Sequence, residues 1–180
     1  NYIDELKLVS TGKCKVSELR DKIQEFHNTY SQGIIPKFNT RFELTLFNTY
    51  RCYLPQEYFP VLYTKHTDNR GSFVEIIKSN GEGQFSFSTT KPGITRGNHY
   101  HTRKVERFAV ISGKASIKLR KIGTDEVIDY IVDDKEPGFV DMSIWYTHNI
   151  TNIGDEELIT LFWINEFYDQ EDPDTYYEEV

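Results

Sequence analysis

Residues 93–113 read Gly93-Ile94-Thr95-Arg96-Gly97-Asn98-His99-Tyr100-His101-Thr102-Arg103-Lys104-Val105-Glu106-Arg107-Phe108-Ala109-Val110-Ile111-Ser112-Gly113. His99 and His101 are two apart, so on a strand both imidazoles face the same way. The stretch Thr102-Arg103-Lys104 can turn the chain and return Glu106 on the neighbouring strand. Further along, His148 precedes Asn152. Three imidazoles and one carboxylate converging in a barrel would hold a borderline divalent ion such as zinc, iron, manganese or nickel. Any one of these histidines is more simply an ordinary polar residue on a strand. The joint spacing of all four residues is what favours a metal centre.

The sequence around this stretch has the period of strands. Phe85 and Phe87 alternate with Ser86 and Ser88, and Ala115, Ile117 and Leu119 alternate with Ser116, Lys118 and Arg120. Glycine- and aspartate-rich breaks at 79–83, 112–114, 123–125, 133–138 and 154–156 separate short strands at the spacing of a sandwich or barrel. Leu158 to Ile164 is almost wholly apolar, as expected of a strand covered on both faces.

Upstream the period becomes helical. Val16, Leu19, Ile23, Phe26 and Tyr30 recur at helical spacing. Thr40 and Glu43 form a capping-box pattern for a second helix carrying Leu44, Phe47, Tyr50 and Leu54 on its apolar side. Pro55 and Pro60 then mark a boundary. Residues 1–57 are expected to be a helical extension and residues 58–180 a β domain. Two helices make a poor core alone, so the extension should pack on something else. The acidic tail from Asp169 to Val180 reads as a loosely held arm.

The chain of 180 residues carries 28 acidic and 21 basic side chains, a net charge of −7. That balance argues against nucleic acid or an anionic membrane surface as the partner. No apolar run approaches the roughly 18–20 residues needed to span a bilayer, and no secretory signal is visible. Cys14 and Cys52 make no disulfide framework, so a cytoplasmic setting is expected. The sequence begins with Asn1 and has one methionine, Met142, and so reads as a fragment or processed product.

The pattern Gly93-x5-His99-x-His101-x4-Glu106-x6-Gly113 resembles the first cupin motif at every position, and His148-x3-Asn152 resembles the end of the second. Where that second motif usually has Pro-x-Gly, this chain has Ser143-Ile144-Trp145, so its turn should be shaped differently. The resemblance implies a mainly β fold: a cupin (double-stranded β-helix or jelly-roll barrel) with an N-terminal α-helical extension. Its metal ligands would be His99, His101, Glu106 and His148.

Two further segments, Asp68-x-Arg70-Gly71-x-Phe73-x-Glu75 and Arg96-Gly97-x-His99, resemble nucleotide-sugar epimerases of the dTDP-4-keto-sugar 3,5-epimerase (RmlC) type. Arginine grips phosphate oxygens bidentately, so Arg70 and Arg96 are assigned to the diphosphate of the substrate. Taken singly, each could equally be a surface ion pair, with Asp68 or Glu75 as partner.

The stretches Asp68 to Phe73, Lys91 to His99, Tyr146 to Ile150 and Pro173 to Tyr176 resemble the C-terminal part of the CapF (WbjC) family of bifunctional capsular-sugar enzymes. The resemblance implies a zinc cupin that epimerises C3 of a UDP-2-acetamido-2,6-dideoxy-4-hexulose, with other divalent metals as alternatives. A preceding NADPH-dependent domain would then reduce C4 on the route to UDP-N-acetyl-L-fucosamine. These residues hold no glycine-rich dinucleotide fingerprint, so NADP and the reductase activity are assigned to that other domain. A homodimer is expected from the same resemblance.

In metal-free epimerases of this type the base is the histidine at the position of His99, a role open to His99 only without metal, because a ligating nitrogen cannot accept a proton. With metal present, Tyr146, two residues before His148 and facing the same interior, is the acid–base candidate, although plain barrel packing is the simpler account in a chain with 12 tyrosines. Glu75 and Lys104 are further candidates. The alternatives are a nucleotide-sugar 3,4-ketoisomerase, or a non-catalytic sugar-binding or structural cupin.

Overall fold

A computed structural model describes residues 13–68, 71–74, 76–81 and 83–180. Helix α1 (Val16–Tyr30) starts where the Lys15 amide donates to Glu18 Oε2 at 2.9 Å, and it buries Phe26 and Tyr30. After strand β1 (Ile34–Ile35), helix α2 (Arg41–Arg51) begins at Thr40. The Thr40 hydroxyl accepts from the Glu43 amide at 3.1 Å, satisfying one of the orphan donors of the first turn. The Glu43 carboxylate reaches back to the Asn39 amide at 2.7 Å. Leu54, expected on the apolar side of this helix, lies beyond its end at Arg51.

A short 3₁₀ turn (Gln56–Tyr58) leads into the strands. These are β2 (Val61–Leu62), β3 (Lys65–Asp68), β4 (Gly71–Val74), β5 (Lys78–Ser79), β6 (Gln84–Thr90), β7 (Thr95–Tyr100) and β8 (Glu106–Ser112). They continue as β9 (Lys114–Lys121), β10 (Val127–Asp133), β11 (Gly138–Met142), β12 (Tyr146–Asn152), β13 (Leu158–Ile164) and β14 (Tyr176–Tyr177). One five-stranded sheet runs β10-β9-β12-β7-β14 and the other β2-β11-β8-β13-β6. The chain is mainly β, and its two antiparallel sheets pack face to face as the jelly roll of a cupin.

Phe108, Val110, Ala115, Ile117, Leu119, Met142 and Ile150 fill the space between the sheets. The helices cover the outer face of the second sheet, where Phe26, Tyr30, Ile35 and Phe47 pack with Val105 and Trp163. This explains why β13 is apolar on both faces. Phe162 reaches the inner core while Trp163 joins the outer one. Arg107 and Asp141, fully buried under the helices, form an ion pair at 2.7 Å, and the Tyr30 hydroxyl donates to Asp141.

The acidic tail is not a loose arm. Strand β14 pairs antiparallel with β7, Tyr176 opposite Tyr100 and Tyr177 opposite His99. Arg120 donates to Glu178 Oε1 at 2.9 Å, and the Glu178 amide donates to the Asn98 carbonyl at 3.0 Å. Glu178 and the tail backbone find partners on the sheet edge, which holds the segment there although most of it is exposed.

Candidate metal centre

His99 and His148 face each other across β7 and β12. Arg96 and His99 are three apart, a spacing that a regular strand would send to opposite faces. The register removes the conflict: His99 pairs with His148 and Gly97 with Asn149, leaving Asn98 as the extra residue of a β-bulge. Arg96 consequently sits opposite the buried Ile150, on the inner face with His99. Asn98 takes a left-handed φ of 60° and Gly97 one of 104°. A Cβ on Gly97 would lie 2.9 Å from the His148 carbonyl oxygen, so the close approach of the two strands also requires glycine.

His101 lies just past β7, and Glu106 opens β8 in the opposite sheet. The four residues bridge the sheets, and a ligand atom from each lies within 4.8 Å of all the others. His101 Nδ1 meets the Asp174 carbonyl oxygen at 2.5 Å, and His148 Nδ1 meets that of Tyr146 at 3.3 Å. A carbonyl can only accept, so both Nδ1 atoms carry the proton and both Nε2 atoms turn toward the centre. His101 Nε2 is 3.0 Å from Glu106 Oε2. His148 Nε2 is 3.3 Å from the same oxygen, off hydrogen-bond geometry, and this buried nitrogen has no hydrogen-bond partner. Ring lone pairs converging on a carboxylate need a cation between them, either a proton or a metal ion. The set of three imidazole nitrogens and one carboxylate fits a borderline divalent metal.

The electrostatics follow from this crowding. Burial lowers the affinity of His99 for a proton, and with repulsion from His148 and His101 it pushes the pKa down to about 4. Burial alone would raise Glu106, but its contacts with His101 and His148 outweigh this and hold it well below the usual carboxylate range. Burial likewise opposes the charged form of His101, and Glu106 overcomes it, leaving the imidazole above its ordinary value.

The turn between His101 and Glu106 is held by a residue that the pairing of histidines did not suggest. The Asp174 carboxylate accepts from the amides of Thr102, Arg103 and Lys104, each at 3.0 Å, and from the Thr102 hydroxyl at 2.6 Å. Burial works against its charge, yet these donors lower the Asp174 pKa below its ordinary value. The signal in the sequence was the ending Pro173-Asp174-Thr175-Tyr176, read only as part of a resemblance.

In the second motif, Ser143-Ile144-Trp145 forms the turn that leads into β12. Trp145 adopts the left-handed conformation, with φ 61°, in a turn closed by the Tyr146 amide on the Ser143 carbonyl at 3.3 Å. A glycine would suit this position. Trp145 instead stacks on Tyr100, ring centroids 5.7 Å apart, and its amide donates to the His101 carbonyl at 2.9 Å.

Of the remaining candidates, Arg96 is exposed, donates to the Thr89 carbonyl at 3.4 Å, and forms no ion pair among the described residues. Arg70 and Glu75 lie outside the described residues. Lys104 is buried and committed to the tail, its ammonium donating to the Pro173 carbonyl. Tyr146 faces inward beside the inter-sheet core and lines a cavity of about 40 Å³ with Cys52, Pro55, Gln56 and Tyr130. Burial raises its pKa, with Cys52 and Glu126 adding to the effect. No helix among the described residues is long and apolar enough to cross a membrane.

Comparison with known proteins agrees with this architecture. The chain is 38% identical over 164 residues to the UDP-2-acetamido-2,6-beta-L-arabino-hexul-4-ose reductase of Pseudomonas aeruginosa, covering 91% of this chain and 44% of that protein. It is 42% identical to the crystal structure of the capsular polysaccharide assembling protein CapF of Staphylococcus aureus, at a TM-score of 0.55, covering 92% of this chain and 45% of that one. The chain thus spans less than half the length of either relative. NovW, a 4-keto-6-deoxy sugar epimerase of Streptomyces spheroides, shares the fold at 17% identity and a TM-score of 0.53, over 61% of this chain and 64% of that one. Residues 66–176 match the family model described as the polysaccharide biosynthesis C-terminal domain. With that match over most of the jelly roll, the chain belongs to the polysaccharide biosynthesis C-terminal domain family, as the cupin portion of a CapF-type protein.

Proposed function

We propose that this chain is a metal-dependent cupin that epimerises C3 of a UDP-2-acetamido-2,6-dideoxy-4-hexulose in capsular or surface polysaccharide synthesis. The observation that carries the reading is the inward-facing group of His99, His101, Glu106 and His148, with Arg96 on the same face of β7. The Pseudomonas relative, by its name, acts on a sugar of this class, which supports the choice of substrate. In this reading His99, His101, Glu106 and His148 hold a zinc ion. Such an ion supplies Lewis acidity toward a C4 ketone, which acidifies the neighbouring C3 proton.

The chain's own residues do the rest. Arg96 reaches toward the second sheet from the inner face and has no competing carboxylate among the described residues, so its guanidinium is available to a diphosphate. Phe108 packs edge-on against His148, centroids 5.9 Å apart, and keeps that side of the site dry. A base must first take the C3 proton, a role assigned to Glu75, the sequence candidate that is left once Lys104 is committed to the tail, and Tyr146 is the proton donor that returns one. A hydroxyl whose pKa is raised stays protonated at neutral pH and can return a proton to C3, whereas His99 as a ligand cannot take part. The UDP-4-keto sugar is the small-molecule partner. NADP and the C4 reduction belong to a domain other than these residues.

The test is solvent exchange. The zinc-loaded chain alone, given the UDP-4-keto sugar in deuterium oxide, should place deuterium at C3 without moving the carbonyl. A folded, zinc-loaded chain that incorporates none sinks the proposal, and a carbonyl found at C3 by product NMR makes it a 3,4-ketoisomerase. His148→Ala should weaken zinc binding more than about 100-fold, beyond the usual cost of losing an outer contact. Tyr146→Phe should slow exchange roughly 10²–10⁴-fold with zinc retained, the ordinary share of a general acid.

A further inference from the structure

We infer that Asp174 is a positioning residue for the metal centre, one that imposes the ligating geometry on His101 and on the turn leading to Glu106. The inference rests on the metal reading above and extends it to the tail of the chain. Asp174 is only 1% exposed and acts through two separate groups. Its carbonyl oxygen receives the His101 Nδ1 proton at 2.5 Å, which selects the tautomer with Nε2 free and fixes the ring plane. Its carboxylate gathers three successive amides, Thr102, Arg103 and Lys104, which sets the path of the chain between the two ligands. To do both at once the residue adopts a left-handed backbone, φ 42°, in which aspartate is tolerated better than most residues. Pairing of Tyr176 with Tyr100 and the bond from Lys104 Nζ to the Pro173 carbonyl then hold the segment on either side.

The energetic logic is that of pre-organisation. His101 and Glu106 belong to a connection between opposite sheets, and the sheet ladders do not constrain the ring of His101, which lies past the end of β7. Without the carbonyl of Asp174 the imidazole can rotate or change tautomer, and without its carboxylate three successive amides lose their acceptor. The cost falls on ligand geometry, because the inter-sheet core lies elsewhere.

The experiment compares zinc affinity by chelator competition, and the visible spectrum with cobalt(II), for the wild-type chain, Asp174→Asn and Thr102→Val. Thr102→Val deletes one hydroxyl bond to the carboxylate and leaves the backbone bonds in place. Asp174→Asn keeps the carbonyl bond to His101 but weakens the side chain's hold on the three amides that position it, and should bind zinc about 10–100-fold more weakly, the usual effect of disturbing an outer partner of a ligand. It should also shift the cobalt bands, and Thr102→Val should move both in the same direction by less. A purely structural role would lower the melting temperature of the metal-free protein while zinc affinity and the cobalt spectrum stay at wild-type values, and that result overturns the inference. Where Asp174→Asn does not fold, Thr102→Val decides, and wild-type affinity in that variant overturns the inference equally. A folded wild-type chain that binds neither zinc nor cobalt overturns the metal reading first and this inference with it.

Discussion

At the scale of single residues, the site depends on backbone conformations that side-chain chemistry alone does not announce. Gly97 is the sharpest case, since it combines a φ of 104° with a Cβ position 2.9 Å from the His148 carbonyl. Gly97→Ala should destabilise the fold by about 1–3 kcal/mol, the scale of a strained residue at a functional site, as read by chemical denaturation. It should also weaken zinc binding, because the bulge that turns His99 inward must shift. An alanine variant with wild-type stability and zinc affinity would refute the bulge argument. The convergence of His99, His101, Glu106 and His148 was legible from spacing alone. The way Arg96 joins them was not, since its spacing of three from His99 points outward until the bulge at Asn98 is counted.

At the scale of elements, the helices and the second sheet are joined by a buried charge pair. Arg107 on β8 and Asp141 on β11 are fully buried, and Tyr30 of α1 completes the network. Burial, followed by the charge of Asp141, raises the Tyr30 hydroxyl well above its ordinary value, so it acts as a donor. Asp141→Ala strands a buried guanidinium and should cost about 3–5 kcal/mol. Tyr30→Phe removes one donor and should cost about 0.5–1.5 kcal/mol. Equal losses for the two variants in denaturant titrations would contradict this ordering. Helix α2 adds a link to the metal loop through Asn48 Nδ2, which donates to the Arg103 carbonyl at 2.8 Å. Strand periodicity located these elements, but the side that faces a core was a tertiary decision. Phe85 and Phe87 alternate as read, yet they lie on the exposed side of an edge strand, 58% and 72% exposed.

At the scale of the whole molecule, residues 13–57 and the jelly roll share a hydrophobic core, with Val105 and Trp163 of the β region packed against Phe26 and Phe47. A chain beginning at residue 58 should therefore expose that surface and aggregate or melt far below the longer chain, which light scattering and thermal unfolding would reveal. A soluble, equally stable truncation would show that the helices only cover the sheet. The amino-acid order determined the class of fold, the four residues that converge between the sheets and the start of the second helix, because period, caps and donor spacing are local properties carried by neighbouring residues. The pairing of the tail with β7, the inward turn of Arg96 and the grip of Asp174 on His101 were decided only in the folded chain. Each depends on a hydrogen-bond acceptor or a strand register supplied by a segment distant in sequence. A donor such as His101 Nδ1 carries no mark of which of many carbonyls it will meet, and that choice is made when the sheets close around the site.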